Sequence, residues 1–486
     1  MIVSSEVHVL DRNAGYLGVP TDVLMENAGR IVADFVQSQF YNPKVLVLCG
    51  TGNNGGDGFV AARYLIKKYP VSVVLLGLEK EIRGSIARMN FEKMKKLPIS
   101  IYDIRHLNQI PELIEKSTVI LDAMLGVGIS GPLREPFGHV AELLDTVRGK
   151  TIIAVDVPTG FGSKPSVHPQ YCITFHDLKE GMKEASCGKI IIADIGIPKE
   201  ASLYVGPGEL VEYYPKSKKS SHKGENGRVL VVGGGPFFGA PVLSGLAALR
   251  TGADLVYIAS PKQSAGIISG YSPNFIVNPL VNNDKLTKND VLDIIKNVER
   301  ADSVVLGPGL GTAQETMQAI PMVVSEILKM GRSLVLDADG LKAMTKHHDI
   351  LKHSPTVITP HCGEFEIFTG KGLPDDVDRR KEIVTSWAKA LDITIVLKGP
   401  VDIISDGKST KLNRVHNEAM TVGGTGDVLA GVIGALLSKR ATPFNAARIA
   451  AFLNGEAGNY AFSTKSYGLL ATDVIEEIPT VLKRYL

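Results

Sequence analysis

Cysteine is scarce: Cys49, Cys172, Cys187 and Cys362 stand far apart in 486 residues, with no Cys-x-x-Cys pair. That spacing argues against a disulfide framework and a structural zinc site, and suits a reducing compartment. An excess of one charge is also missing. Lysine and arginine number 53 against 51 acids, a net charge of +2, so no global field draws the chain to nucleic acid or an anionic membrane. Long hydrophobic runs are absent too. Val45–Leu48 and Val71–Leu76 are strand-sized and far too short to span a bilayer. The opening Met1-Ile2-Val3-Ser4-Ser5-Glu6 has no charged segment leading into an apolar one, so no signal peptide is expected. These absences predict a soluble cytoplasmic protein with no nucleic-acid or membrane partner. No Gly-x-x-x-x-Gly-Lys-Ser/Thr occurs either, which excludes a P-loop.

What is present reads as a large α/β chain. Hydrophobic content of 44% and charged content of 21% are ordinary for a globular core, and the length suggests two or three domains. Short apolar runs at 44–49, 71–76, 118–122, 152–156 and 190–193 alternate with helical patterns such as 59–68. After a polar passage at Val211–Arg228, holding Lys216-Ser217-Lys218-Lys219, the rhythm resumes with strands at 229–232, 303–306, 333–336, 356–358 and 394–397. Apolar strands separated by helices imply βαβ units and parallel sheets covered on both faces. The halves share rhythm but not sequence, so two different α/β domains are expected.

The densest signal is Gly423-Gly424-Thr425-Gly426-Asp427, followed by apolar residues at helical spacing from Val428 to Leu437. A glycine turn entering a helix offers free N–H donors at the positive end of the dipole, a setting for phosphate. Asp427 in the first turn suggests a base for phosphoryl transfer to a hydroxyl; an acid there can also simply favour the helix start.

A second glycine loop, Gly50-Thr51-Gly52-Asn53-Asn54-Gly55-Gly56-Asp57-Gly58, follows the first strand. With Glu79 beyond the next strand it satisfies a dinucleotide fingerprint, although its amides and carboxylate suit another polar ligand or a hard cation equally. Asp122 and Asp156 end further strands, where ligands gather in open α/β sheets. Oxygen donors from Asn54, Asp122 and Thr159, with no sulfur or imidazole, favour an alkali or alkaline-earth ion.

Asn53–Gly58, Asp122–Gly128, Val155–Gly160 and Met25–Gly29 together resemble the NAD(P)H-hydrate epimerase domain, over residues 1–212. The resemblance implies a Rossmann-like three-layer fold. It further implies that Asn53, Asn54, Gly55, Gly56 and Asp57, with Gly126, Val127, Gly128, Ile129, Ser130, Gly131 and Pro132, hold the hydrated cofactor. Asn54, Asp122 and Thr159 would bind potassium, and Asp156 would contact substrate and transfer a proton. Thr159 replaces a usual serine and keeps the hydroxyl. Tyr171–Met182 matches loosely and receives no role.

In the second half, Gly307–Gly311, Thr359–Glu364 and Leu397–Pro400 leave strands through glycine or polar turns, a pattern that fits a nucleotide cleft. With Lys223-Gly224, Gly239-Ala240-Pro241, Val335–Asp339 and Met420–Leu429 they resemble the ribokinase-like ADP-dependent NAD(P)H-hydrate dehydratase, over residues 218–486. By that resemblance Ala240, Gly309 and His361 would contact the hydrate. Lys398, Gly399, Pro400, Val401 and Asp402, with Gly423, Gly424, Thr425 and Gly426, would contact ADP or ATP, Asp427 would be the catalytic base, and Glu364 would order magnesium. His416-Asn417-Glu418-Ala419 stands where Gly-Asn-Pro-Gly is expected, and Cys362 replaces a proline.

The two resemblances imply a bifunctional isomerase and lyase that repairs hydrated NADH and NADPH, with K+, Mg2+ and ADP or ATP as cofactors. Assembly as a homo-oligomer is expected. Competing readings are a conventional small-molecule kinase, a non-catalytic nucleotide sensor and a Rossmann dehydrogenase.

Overall fold

The computed structural model describes residues 2–128 and 131–486. It divides into two compact units, Met1–Ala201 and Ser202–Leu486.

The first unit is built on β1 (Val45–Cys49), β2 (Val71–Leu75), β3 (Ser100–Asp103), β4 (Val119–Ala123), β5 (Thr151–Val155), β6 (Tyr171–Phe175) and β7 (Lys189–Ala193), in the order β3-β2-β1-β4-β5-β6-β7. All neighbours pair in parallel. Period-two alternation supplies both faces. Val45, Val47 and Cys49 join the core under helices Thr21–Gln39 and Asn53–Leu65, while Leu46 and Leu48 join the core under helices Ile110–Lys116 and Phe137–Thr146. The chain reverses its direction of travel across the sheet between β1 and β4, the place where ligands gather in open α/β sheets.

Sequence pattern placed a loop over 50–58 and a helix from 59. The structure starts that helix at Asn53, so Asn53–Gly58 forms its first turns. The glycines are explained by packing. A Cβ on Gly55 would lie 2.0 Å from Gly50 O, and one on Gly58 would lie 2.7 Å from the Ala123 Cβ.

The second unit holds β8 (Arg228–Val232), β9 (Leu255–Ser260), β10 (Phe275–Pro279), β11 (Ser303–Leu306), β12 (Ser333–Leu336), β13 (Thr356–Ile358), β14 (Thr394–Leu397), β15 (Asp402–Ser405) and β16 (Thr410–Asn413), in the order β10-β9-β8-β11-β12-β13-β14-β15-β16. Pairing is parallel as far as β14, and β15 and β16 add an antiparallel edge. Helix Thr425–Ser438 is buried on every side from Val428 to Ser438, as a helix apolar all round must be. A Cβ on Gly431 would lie 2.1 Å from Ser244 O, and Ser244 Oγ donates to Asp427 O at 2.9 Å. The helix start is thereby fixed against helix Gly239–Arg250.

The division between units falls before the expected 212–218 link. Residues 202–213 belong to the second unit: Val205 N–H donates to Leu412 O at 2.8 Å, and the guanidiniums of Arg414 and Arg448 lie over the Tyr204 and Tyr213 rings. The exposed run 216–220 is a surface loop within that unit.

Candidate functional sites

In the first unit a cavity of about 660 Å3 opens at the carboxyl ends of the strands. Asn53, Asn54, Asp57, Gly126, Val127, Gly128, Pro132 and Asp156 line it. Gly131 lines an adjoining cavity of about 390 Å3, which shares Leu125–Val127 and Lys179. Gly55 and Gly56 do not line either; they pack beneath, against Gly50 and Met25. Ile129 and Ser130 lie outside the described residues.

Asp122 is fully buried at the end of β4. Thr159 Oγ1 donates to its Oδ1 at 2.7 Å and Thr159 N–H to its Oδ2 at 2.8 Å. Burial outweighs these bonds and pushes its carboxyl up to about 6. Leu125 N–H donates to Thr159 Oγ1 at 3.1 Å, and a Cβ on neighbouring Gly126 would lie 3.4 Å from the Asn54 Cβ. Thr159 and Asn54 therefore border the Leu125–Gly126 backbone, and Asp122 is tied to it through Thr159 and through Met124 N–H, which donates to Asp122 Oδ1 at 3.3 Å. Both amide atoms of Asn54 are buried without a hydrogen-bond partner among the described residues, a costly state for an amide.

Asp156 follows β5 with φ 67°, a backbone state that costs energy in a non-glycine residue and recurs at functional sites. Its Oδ1 accepts from Lys179 Nζ at 2.5 Å and Phe175 N–H at 3.2 Å. Lys179 is buried and also donates to Thr174 Oγ1 and Phe175 O. Sequence reading missed Lys179 and the cavity-lining Asp11, since neither ends a strand or borders a glycine loop. Burial, with the Asp156 carboxylate adding to it, pushes Asp11 up to about 6 against the opposing charges of His8 and Lys179. Burial followed by Asp156 and Asp11 raises Asp57 well above the carboxylate range. Glu79, the acid a dinucleotide fingerprint needs, pairs with Lys95 at 2.8 Å and lines neither cavity.

In the second unit Gly424 caps helix Thr425–Ser438 at φ 99°, a conformation that glycine adopts freely. The first-turn amides of that helix have no intrahelical partner, and Gly423 just before them is exposed. Thr425 Oγ1 donates to Met420 O at 2.9 Å and ties the turn to the preceding loop. Asp427 sits in the first helical turn, and its carboxylate accepts no hydrogen bond among the described residues. Burial, then the Asp337 carboxylate, pushes it up to about 7 despite Lys398, with Glu364 and Asp339 adding to the rise. Lys398 Nζ donates to Asp337 Oδ1 at 2.9 Å, and a Cβ on Gly426 would lie 3.2 Å from it.

Lys398–Asp402 forms the turn from β14 to β15, where Gly399 N–H and Asn413 Nδ2 hold Asp402 at 2.9 Å each, and His416 Nε2 lies 3.0 Å from Pro400 O. His361 and Glu364 cap helix Cys362–Thr369 reciprocally: Glu364 N–H donates to His361 Nδ1 and His361 N–H to Glu364 Oε2. Glu364 Oε2 is also 4.0 Å from Lys398 Nζ. Gly309 has φ 69°, with Phe237 O 2.0 Å from where a Cβ would stand, and Ala240 lies in the first turn of helix Gly239–Arg250. Asp337 and Asp339 were given no role from sequence. Asp337 directly follows β12, so the rule that selected Asp122 and Asp156 points to it as well. Among the described residues no three His, Cys, Asp or Glu side chains form a metal-binding group, and no helix is long and apolar enough to cross a membrane.

The fold and the glycine-capped acid define the second unit's class. A solved ribokinase-like superfamily protein of Enterococcus faecalis V583 is 26% identical to this chain, with a TM-score of 0.51 over 58% of this chain and 96% of its own. The protein is thus a two-unit α/β enzyme with a ribokinase-like second unit. Residues 229–480 match the family model described as NAD(P)H-hydrate dehydratase, and residues 21–181 match that of the YjeF-related protein N-terminus. Along its whole length the chain is similar to the bifunctional NAD(P)H-hydrate repair enzymes of Pyrobaculum aerophilum and Hyperthermus butylicus. It is 40% identical to the first over 100% of this chain and 98% of the relative, and 38% identical to the second over 99% and 92%. The chain belongs to the family of bifunctional NAD(P)H-hydrate repair enzymes, which joins an epimerase to a nucleotide-dependent dehydratase.

Proposed function

We propose that the first unit interconverts the two epimers of hydrated NADH and NADPH through Asp156, and that the second dehydrates one epimer with Asp427 as base. The observation that carries the second assignment is the placing of Asp427. Its carboxylate is unbonded among the described residues, raised to about 7, and stands behind a glycine-capped helix start with Lys398 beside it. A base with that affinity accepts the substrate hydroxyl proton near neutrality. The hydroxyl oxygen then bonds to the terminal phosphorus of ADP (or ATP) as the bridging P–O bond breaks. The Gly423–Gly426 amides and Lys398 hold the developing charge. Phosphate is a better leaving group than hydroxide, so the ring nitrogen expels it, and loss of the neighbouring C–H proton restores the double bond.

Lys398–Asp402 and Gly423–Gly426 carry the nucleotide in this reading, and Ala240, Gly309 and His361 carry the hydrate. Magnesium would supply charge neutralisation on the phosphates. Asp337 and Glu364 lie 2.9 and 4.0 Å from the Lys398 ammonium, with Asp427 nearby, an acid excess that fits a cation. Potassium fits the first unit: Asn54 has a buried carbonyl oxygen without a partner among the described residues, and Asp122 and Thr159 add hard oxygens. Held by these three, it would fix the Leu125–Gly126 backbone that borders the hydrate. Cytoplasmic residence and self-association accompany this reading.

The test mixes both epimers with protein, magnesium, potassium and either nucleotide, and follows return of reduced-nicotinamide absorbance. Complete recovery is expected. Recovery that stops at the fraction of one epimer removes the epimerase role, and no recovery with either nucleotide removes the dehydratase role.

A further inference from the structure

Asp57 and Asp11 are acids of the first unit's cavity for which the chemistry above has no use. They line the cavity together with Asp156 and Lys179, from separate elements: Asp57 in helix Asn53–Leu65, Asp11 in helix Ser4–Tyr16 and Asp156 after β5. Helix Ser4–Tyr16 lies upstream of residue 21, where the family match begins. Three carboxyl groups thus line one cavity with a single lysine, and that lysine is bonded to Asp156 alone of the three. Neither Asp57 nor Asp11 accepts a hydrogen bond among the described residues. The other charged or titratable groups are His8 and Arg12 on the first helix, Arg83, Arg134 and His176 in the cavity wall, and Cys49 and Asp122 beneath.

These environments are unequal. Asp156 is the buried, ion-paired carboxylate, whereas Asp57, half-buried in the cavity wall, has Asp156 and Asp11 as like-charged neighbours. Like charges so arranged keep a proton on one member. An acid and a base set apart by their surroundings make a general acid–base pair. Resting on the reading of this cavity as a hydrate epimerase, we propose that Asp57 is the proton donor and Asp156 the proton acceptor of epimerisation, with Asp11 as the positioning charge that keeps Asp57 protonated.

The step balances without an oxidant. Asp57 gives its proton to the ring hydroxyl, the C–O bond breaks, and water leaves as the nitrogen lone pair forms an iminium. Water then adds to the opposite face of that carbon, its proton passes to Asp156, and the C=N electrons return to nitrogen. Proton exchange between the two carboxyls through cavity water restores the starting state.

The test follows conversion of one purified epimer into the other, without nucleotide, by the full-length protein. Asp57→Asn is expected to lower kcat by about 100-fold with KM little changed. Asp11→Asn is expected to move the alkaline limb of the pH–rate profile to lower pH, because Asp57 then loses its proton earlier. A kcat loss under tenfold in Asp57→Asn, or an unmoved limb in Asp11→Asn, overturns the assignment. Calorimetric binding of the single epimer checks that Asp57→Asn is folded; if it does not bind, the Asp11→Asn profile decides. A wild-type protein that fails to interconvert the epimers rejects the epimerase reading itself, not the choice of donor.

Discussion

Lys398 Nζ donates to Asp337 Oδ1 at 2.9 Å and stands beside Gly426, the residue before Asp427. One ammonium is therefore bonded to a strand-end carboxylate and stands near the base at the helix start. Burial raises Asp427 most, Asp337 adds to the rise and Lys398 opposes it, so the pair tunes the pH at which the base works.

A general base works only when ionised, so dehydratase kcat/KM should rise with pH through about 7, the value to which Asp427 is pushed. Lys398→Met removes the nearby cation and should move that rise to higher pH. Asp337→Asn removes a like charge and should move it lower. A pH–rate profile of each variant checks the order, and a common midpoint in all three proteins contradicts it.

Asp427→Asn should lower dehydratase kcat by roughly 100-fold or more. Nucleotide should still bind, since the helix-start amides and Lys398 remain, and epimer interconversion should be untouched. Calorimetric titration with ADP and an epimerisation assay on the same preparation separate these outcomes.

Lys179→Met should destabilise the first unit, because Asp156 is then left as a buried charge without its partner. Breaking a buried ion pair from one side costs about 3–5 kcal/mol. Denaturant unfolding followed by a probe in that unit measures the loss.

Potassium should stabilise the first unit if Asn54, Asp122 and Thr159 hold it. A ligand at 100 times its Kd adds about 2.7 kcal/mol to a folded state. Thermal unfolding in potassium against a larger organic cation should show the gain in wild type and lose it in Asp122→Asn.

Gly424→Ala should cost about 1–2 kcal/mol from its left-handed backbone alone. A Cβ there would also lie 2.5 Å from Leu243 Cδ1. Dehydratase activity should fall with it, while epimerisation should not.

Both sheets were legible in the sequence where strands are buried on both faces, as in β1, β4 and β11, because such strands read as unbroken apolar runs. Of the edge strands only β7 was, at 190–193, and the interior strands β6 and β9 went unread. β3 and β10 are half-exposed and polar in part, and β15 and β16 form an antiparallel flap. Asp122, Asp156 and Asp427 announced themselves by ending strands or following glycines. Lys179 and Asp11 reach their cavity only through tertiary packing, which one sequence does not display. The helix start at Asn53 was hidden because glycine signals a loop locally, whereas here it marks close approach of backbone and strand. The unit boundary misled for a related reason: the lysine-rich run 216–220 is exposed, but the chain has already joined its second unit at residue 202.

The measurement that bears most directly on the central claim is the stoichiometry of phosphate release during dehydration of a single epimer with ADP. Phosphorylation as the means of expelling water predicts AMP, inorganic phosphate and restored reduced nicotinamide in equal amounts. A stable phosphorylated hydrate, formed with AMP but without free phosphate or recovered absorbance, would contradict it.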